Sequence, residues 1–203
     1  FEQEACFILM LWAFAIMTMK AQMAINERKL LQEDLIPLQQ GLRITPKDTT
    51  DYMRQLANLA EAKQNLLLPR ILTNALNRFA TTKNVQDVST STHTMVESEA
   101  DRLESELSMI RYIAWAIPSI GFIGTVRGIG AALSLAHRAV DGDISGVTQN
   151  LGIAFNSTFI ALLISIVIMF LVHQLQLIQE RQIFETENYC DQNLISHLKG
   201  EQE

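Results

Sequence analysis

Three apolar blocks interrupt an otherwise polar chain, at residues 5–19, 110–136 and 147–172. A transmembrane helix needs about 20 consecutive apolar residues, a length that the second and third blocks exceed. The first block is about one turn short. It is favoured as a spanning helix over a buried or interfacial one, because Trp12 offers an interfacial anchor and because a chain that starts at Phe1 is expected to lack its true N-terminus. The pattern predicts an all-α membrane protein with three transmembrane helices.

The blocks divide the chain into segments. Between the last two spans lies a short polar link with Gly142 and Gly146, so these spans must form an antiparallel hairpin. Before the hairpin, three prolines punctuate a polar segment that otherwise reads as three or four helices, and the span helices extend beyond the membrane. We predict a first transmembrane helix at 1–20, a helical cytoplasmic segment at 21–109, a second transmembrane helix at 110–136, a periplasmic link at 137–146, a third transmembrane helix at 147–172 and a C-terminal cytoplasmic helix at 173–203.

The orientation follows from basic residues near the span ends. Lys20, Arg28 and Lys29 follow the first span, and Arg102 and Arg111 flank the start of the second. Since loops rich in Lys and Arg stay on the cytoplasmic side, the segment between these spans is expected to be cytoplasmic. The chain is therefore predicted to be a multi-pass protein in contact with membrane lipid, with its N-terminus outside and its C-terminus inside.

Charge and composition exclude several functions. A net charge of −6 with a pI near 5.2 gives no basic field for nucleic acid. Cys6 and Cys190 are too far apart in the sequence to suggest a disulfide framework, and the four histidines are scattered without ligand spacing. No phosphate-binding glycine loop and no nucleophile with a nearby base can be found. We therefore expect neither an enzyme nor a metal or cofactor site.

Small residues form one stripe on each of the last two spans. Residues at steps of three and four share a helix face. Such stripes let another helix approach closely, and the central threonine of each could offer a hydroxyl to an ion or a water molecule. The simpler interpretation is plain helix packing, in which the hydroxyls bond their own backbone. The stripes are Pro118, Gly121, Thr125, Gly128 and Ala132 in the second span, and Asn150, Ala154, Thr158, Ala161 and Ser165 in the third.

The same residues carry a resemblance to a known family. Residues 116–128 (AIPSIGFIGTVRG) resemble Pro-x-x-Gly-Leu-Leu-Gly-Thr-Val-x-Gly, the second-span signature of the MotA/TolQ/ExbB proton channel family. Residues 151–163 (LGIAFNSTFIALL) resemble its third-span pattern Ala-x-x-Thr-x-x-Gly-Leu, with Thr158 on the family threonine and Ala161 in place of the usual glycine. The resemblance covers about residues 95–180, and the three-span layout is similar to TolQ and ExbB.

The resemblance implies an ion-conducting stator subunit of a rotary motor complex driven by the proton-motive force in the bacterial inner membrane. It implies a homopentamer around a dimer of a MotB/TolR/ExbD-like single-span partner, whose transmembrane Asp takes up and releases the ion, H⁺ rather than Na⁺. The three apolar blocks contain no Asp or Glu, so the partner must supply the carboxylate. The expected ion pathway is Thr125, Thr158, Asn156, Ser157 and Arg127, and the expected partner-helix packing residues are Pro118, Gly121, Gly124, Gly128, Ala132, Ala154, Ala161 and Ser165.

Two questions stay open from the sequence. Arg127 lies inside the second apolar block, where a charge costs a few kcal/mol or more unless it is paired or hydrated. It either faces a water-accessible path or pairs across subunits, or it snorkels and bonds carbonyl groups.

The alternative function is a membrane signalling or scaffold protein, in which the helix at 97–107 transmits conformational change without ion flow. That protein would be a dimer.

Overall fold

The computed structural model describes residues 1–31, 43–46, 48–59, 61–64 and 66–199. Within these residues the regular elements are helices, and the β-structure is limited to one isolated bridge between Ile44 and Leu198. The helices are α1 (Glu2–Leu31), α2 (Thr49–Ala57), α3 (Glu61–Gln64), α4 (Leu67–Thr82), α5 (Val85–Ser134), α6 (Ala136–Val140) and α7 (Ser145–Asn193), followed by a 3₁₀ turn at Ile195–His197.

Three of these helices are long and apolar enough to cross a membrane, namely α1, α5 and α7. This confirms the predicted all-α membrane fold with three such helices. The helices α5 and α7 contain 50 and 49 residues, respectively. At about 1.5 Å per residue each is roughly 75 Å long, more than twice the hydrocarbon thickness of a bilayer. Each of them therefore continues far beyond its apolar block.

Two helices are longer than the apolar pattern indicates. The first continues past Lys20 to Leu31, and α5 begins at Val85 rather than after the Ser/Thr-rich stretch at 89–94. Hydroxyl side chains are compatible with a helix interior when they bond the carbonyl four residues back. In α5 the hydroxyl of Thr90 does so at 3.0 Å and that of Thr94 at 2.9 Å. The stretch is therefore helical despite its composition.

The chain divides into two compact units. The span unit comprises residues 1–20 and 105–176, and the α4 unit comprises residues 21–104 and 177–203, as far as the structure describes them. The helices α1, α5 and α7 each contribute to both units. The predicted link at 137–146 belongs to the span unit and contains α6 and a turn in which Gly142 has a φ of +94°, a conformation that favours glycine.

The α4 unit has a core of buried apolar side chains. One face of α4 is buried against residues of α2, α5 and α7. The helix is capped by Lys83, which has a left-handed backbone conformation and whose N–H donates to the carbonyl of Phe79 at 2.9 Å. Burial in this core raises the pKa of the Cys190 thiol to about 12, so the thiol stays protonated. The core comprises Ile44, Leu56, Leu67, Leu68, Ile71, Leu72, Ala75, Leu76, Phe79, Val88, Val96, Cys190 and Leu194.

Within the span unit, α1 runs antiparallel to α5. Lys20 forms an ion pair with Glu106 near one end of the contact, and Glu2 forms one with Arg127 near the other, at 2.6 Å. Residue numbers therefore fall along α1 while they rise along α5. Since the residues between these two ion pairs in α1 are mostly apolar, the two pairs lie on either side of the apolar contact.

The last two long helices form the antiparallel hairpin that the short link predicts. The guanidinium of Arg111 donates to the side chain of Gln176 at 3.3 Å, and the hydroxyl of Thr158 donates to the carbonyl of Gly121 at 2.8 Å. The contact between α5 and α7 thus extends over most of the span unit. It brings together the two small-residue stripes described next.

Candidate functional site: a threonine seam between two spans

The two small-residue stripes face each other. A Cβ atom added to Gly121 would lie 2.5 Å from the Cβ of Ala161, and one added to Gly128 would lie 2.6 Å from the Cβ of Ala154. Real Cβ atoms do not approach so closely, and the backbones of α5 and α7 can pack at this distance only because both positions of α5 are glycine. We call this contact the threonine seam; it comprises Gly121, Thr125 and Gly128 of α5 with Ala154, Thr158 and Ala161 of α7.

A proline in α5 is compensated across the seam. Pro118 lies inside the helix and has no N–H, so the carbonyl of Ala114, four residues earlier, loses its helical donor. The hydroxyl of Ser165 in α7 donates to that carbonyl at 2.7 Å. Because an unsatisfied backbone carbonyl is costly in a bilayer, this bond allows a proline in the middle of a span. Pro118 and Ser165 were both predicted to pack against a partner helix. Within the hairpin, the hydroxyl of Ser165 bonds the carbonyl that Pro118 leaves without a donor.

The two threonines lie at the centre of the seam and contact each other. The hydroxyl of Thr158 donates to the carbonyl of Gly121 at 2.8 Å, and that of Thr125 lies 3.2 Å from the carbonyl of Ala154 and 3.3 Å from that of Gly121. The two hydroxyls also bond each other. Each hydroxyl has one proton, so two protons serve four contacts and can be redistributed among them. Both side chains are partly buried, and their remaining lone pairs can accept from water or coordinate a cation.

The first span packs on one side of the seam. Gly124 is buried, and a Cβ added to it would lie 3.2 Å from the Cβ of Ser157 and 3.5 Å from the Cβ of Glu2. Ser157 is also buried; its hydroxyl donates to the carbonyl of Ile153 at 2.9 Å and accepts from the amide of Gln3 at 3.4 Å. Gly124 and Ser157 therefore form the junction of α1, α5 and α7.

The structure pairs Arg127 with a carboxylate of its own chain. Its guanidinium donates to Glu2 at 2.6 Å, and the exposed fractions of the two side chains are 64% and 12%. Arg127 is two residues after Thr125, and successive helical residues are about 100° apart, so it lies about 200° around α5 from the threonine. The structure thus shows a pairing within the chain, with Glu2 of α1, which neither interpretation left open above had named.

The other predicted residues lie apart from the threonine pair. Asn156 is exposed on α7, and Ala132 is buried near the end of α5. The amide of Asn150 donates to the carbonyl of Gly146, one turn earlier in its own helix, at 2.8 Å. The structure therefore brings together Thr125 and Thr158, places Ser157 beside α1, and leaves Asn156 at the surface of the chain.

Sequence reasoning missed two features of the site. The first span was assigned no part in it, although Glu2 and Gln3 contact α5 and α7, because a pattern of apolar blocks does not reveal which helices meet. The bond from Ser165 to the carbonyl freed by Pro118 was also missed, although a proline inside a span is itself a signal for a hydroxyl donor on a neighbouring helix.

The seam offers hydroxyl and carbonyl groups but no acid or base of its own. In the part of the chain that the structure describes, no three His, Cys, Asp or Glu side chains are placed to hold a metal ion. Hydroxyls and carbonyls can hydrate or coordinate a cation, but they do not take up and release protons near neutral pH. The fold and the site thus define a multi-pass helical membrane protein with a polar, closely packed seam between two spans.

A family model narrows this class. The model of the MotA/TolQ/ExbB proton channel family matches residues 63–188, which is more than half of the chain. The chain belongs to the MotA/TolQ/ExbB proton channel family, a family of channels and not of enzymes. The match extends beyond the region of about 95–180 in which the motifs were recognised, and it includes α4 and the whole of α5 but not α1. Searches of curated proteins and of solved structures give no match.

Proposed function

We propose that this chain is the ion-conducting stator subunit of a rotary motor complex driven by the proton-motive force. In this proposal five copies surround a dimer of a single-span partner in the bacterial inner membrane, with the N-terminus outside and the C-terminus inside. Protons pass the threonine seam to and from a transmembrane Asp of the partner. The resulting rotation of the ring relative to the dimer performs mechanical work.

The observation that carries the proposal is the pair of threonines at the seam. Membership of a proton channel family sets the function class, and the contact between Thr125 and Thr158 supports the proposal that ions pass at these residues. The two hydroxyls share four contacts, so each hydroxyl hydrogen can rotate from one acceptor to another at little cost in free energy. This property suits a site where a water molecule or a protonated carboxylate moves past the two threonines. Under the alternative of plain helix packing, the hydroxyls serve only to bond carbonyl groups, and their removal would leave proton transport unchanged.

The need for a partner follows from the chemistry of the seam. Proton transport needs a group whose pKa permits both uptake and release, and residues 110–136 and 147–172 contain no Asp or Glu. A carboxylate from a second polypeptide would supply this group next to the threonine hydroxyls. The long α5 and α7, which continue well beyond the apolar blocks, support a ring whose subunits also pack outside the membrane.

The experiment uses the complex purified with its partner and reconstituted in liposomes that contain a pH-sensitive dye. An imposed proton gradient is applied, and the initial rate of proton uptake is measured for the wild type, Thr158→Ala and Thr125→Val. We expect the uptake rate to fall on the order of tenfold or more in each variant, because each removes a hydroxyl from the path. A tenfold fall corresponds to an increase of about 1.4 kcal/mol in the activation free energy.

The matched control is Thr148→Val on the same helix. The hydroxyl of Thr148 is exposed and bonds carbonyls of its own helix, at 2.9 Å to Ser145 and 3.2 Å to Ile144, so its removal is expected to leave the rate unchanged. Wild-type rates in both seam variants would contradict the proposal. The mass of the particle in detergent provides a second test, since a simple dimer would favour the signalling alternative, in which the uninterrupted α5 transmits conformational change.

A further inference from the structure

A charged pair lies beside the threonine seam. The carboxylate of Glu2 contacts the guanidinium of Arg127 at 2.6 Å, and the stem of Glu2 crosses Gly124, where its Cβ and Cγ would each lie 3.5 Å from an added Cβ. The Glu2 side chain is only 12% exposed. Packing therefore holds the Glu2 side of the pair at the junction of three helices, whereas the Arg127 side chain is 64% exposed.

Along the axis of α5, the pair lies close to the threonines. Arg127 follows Thr125 by two residues, a rise of about 3 Å along the axis of α5. A guanidinium carries its positive charge at any physiological pH, and a charge in surroundings of low dielectric constant acts on other charges over several ångströms. By itself, this charge would raise the energy of any cation that passes the seam. A carboxylate in contact with it reduces the charge to a dipole, whose effect falls off more steeply with distance.

We propose that Glu2 neutralises Arg127 and thereby lowers the electrostatic barrier to cations at the threonine seam. The inference rests on the proposed function, because the charge of Arg127 affects transport only if cations pass between α5 and α7 or along them. Glu2 acts through Arg127 and is a positioning and charge-compensating residue. It gives the first span, which lies outside the residues matched by the family model, an indirect part in ion flow.

The alternative is a purely mechanical role, in which the pair only fastens α1 to α5. The two roles predict different signs. If the pair is a fastener, removal of either charge breaks the same bond and reduces function to a similar extent. If the pair sets the barrier, removal of the carboxylate exposes a positive charge and slows cations, whereas removal of the guanidinium leaves a negative charge that does not repel them.

The experiment measures proton uptake in the reconstituted complex for Glu2→Gln, Arg127→Gln and the double variant. We expect Glu2→Gln to lower the rate on the order of tenfold, Arg127→Gln to lower it far less, and the double variant to conduct several-fold faster than Glu2→Gln alone. The isosteric Glu2→Gln change keeps a hydrogen-bond acceptor for Arg127, so the geometry of the contact is largely preserved. Equal losses in both single variants, or an unchanged rate in Glu2→Gln, would overturn the inference.

A charge-swapped chain with Glu2→Arg and Arg127→Glu covers the case in which Glu2→Gln fails to assemble. The swap restores a neutral pair, and we expect it to conduct within about threefold of the wild type; a swap that assembles but does not conduct would overturn the inference. The threonine variants distinguish a failure of the inference about Glu2 from a failure of the proposed function. If Thr158→Ala abolishes uptake while the pair variants behave alike, the inference fails and the proposed function stands; if the wild type transports no protons, both fail.

Discussion

The threonine seam and the core of the α4 unit bury their residues in different ways. The core is filled by large side chains such as Leu72, Leu76 and Phe79, which are fully buried. The seam is filled by glycine, alanine and hydroxyl residues, and two of its contacts are so close that only glycine fits. In water the transfer of large apolar side chains drives packing, whereas in lipid no such force acts between helices, and close contact and hydrogen bonds have to hold them together.

The difference extends to the polar groups. In the span unit, the hydroxyls of Thr158 and Ser165 in α7 donate to carbonyl groups of α5, at 2.8 Å and 2.7 Å. In the α4 unit, the hydroxyls of Thr90 and Thr94 bond carbonyls of their own helix. Thr158 and Ser165 therefore connect two helices, whereas Thr90 and Thr94 satisfy their hydroxyls within one helix.

The largest expected effect tests the α4 unit. Phe79 is fully buried, so Phe79→Ala leaves a cavity and should cost about 3–5 kcal/mol of stability. The control is Phe170→Ala on α7, where the ring is 61% exposed and its loss should change stability by less than about 0.5 kcal/mol. Both are measured as the midpoint of thermal unfolding in detergent. Equal shifts in the two variants would show that the core of the α4 unit is not packed as described.

The next effect tests close packing in the seam. In Gly121→Ala the new methyl group meets the Cβ of Ala161 at 2.5 Å, and we expect over-packing to cost roughly 1–3 kcal/mol. Gly130→Ala on the same helix is the control, because nothing lies within 4 Å of its added Cβ. Adding Ala161→Gly to Gly121→Ala returns the missing space and should restore most of the lost stability. A Gly121→Ala protein as stable as Gly130→Ala would contradict the close approach of the two spans.

A smaller effect tests the bond that compensates the proline. Ser165→Ala leaves the carbonyl of Ala114 without a donor, and we expect a loss of about 1 kcal/mol or somewhat more. The control is Ser119→Ala, because the hydroxyl of Ser119 bonds the carbonyl of Trp115 in its own helix, at 3.3 Å. Replacing Pro118 with Ala in the Ser165→Ala background returns the missing N–H, so the cost of losing Ser165 should then be smaller. An unchanged cost would show that Ser165 stabilises the seam in another way.

Much of this architecture was predictable from the sequence, for stated physical reasons. The lengths of the apolar blocks indicated three spanning helices, and the short polar link required a hairpin. The spacing of Gly121, Thr125 and Gly128 predicted one small-residue face, and the structure packs that face against the matching face of α7. The extent of α1 was not predictable, because Lys20 ends the apolar block and its ion pair with Glu106 depends on contacts between distant residues.

The candidate site was predictable only in its central residues. Thr125 and Thr158 stood out through their spacing and through the family signature, and the structure brings them into contact. The neighbour of Arg127 could not be read from the sequence, since Glu2 is 125 positions away and precedes the first apolar block. Asn156 was predicted to line the ion pathway, but it lies two residues from Thr158, on nearly the opposite face of the helix, and it is exposed.

The most direct test of the central claim is a cryo-electron microscopy map of the assembled complex in a lipid environment. The account predicts five copies of the chain around a cavity that contains two partner helices, with Thr125 and Thr158 within hydrogen-bonding reach of a carboxylate of the partner or of water beside it. A map in which both threonines face acyl chains, or in which the particle encloses no inner cavity, would contradict the account.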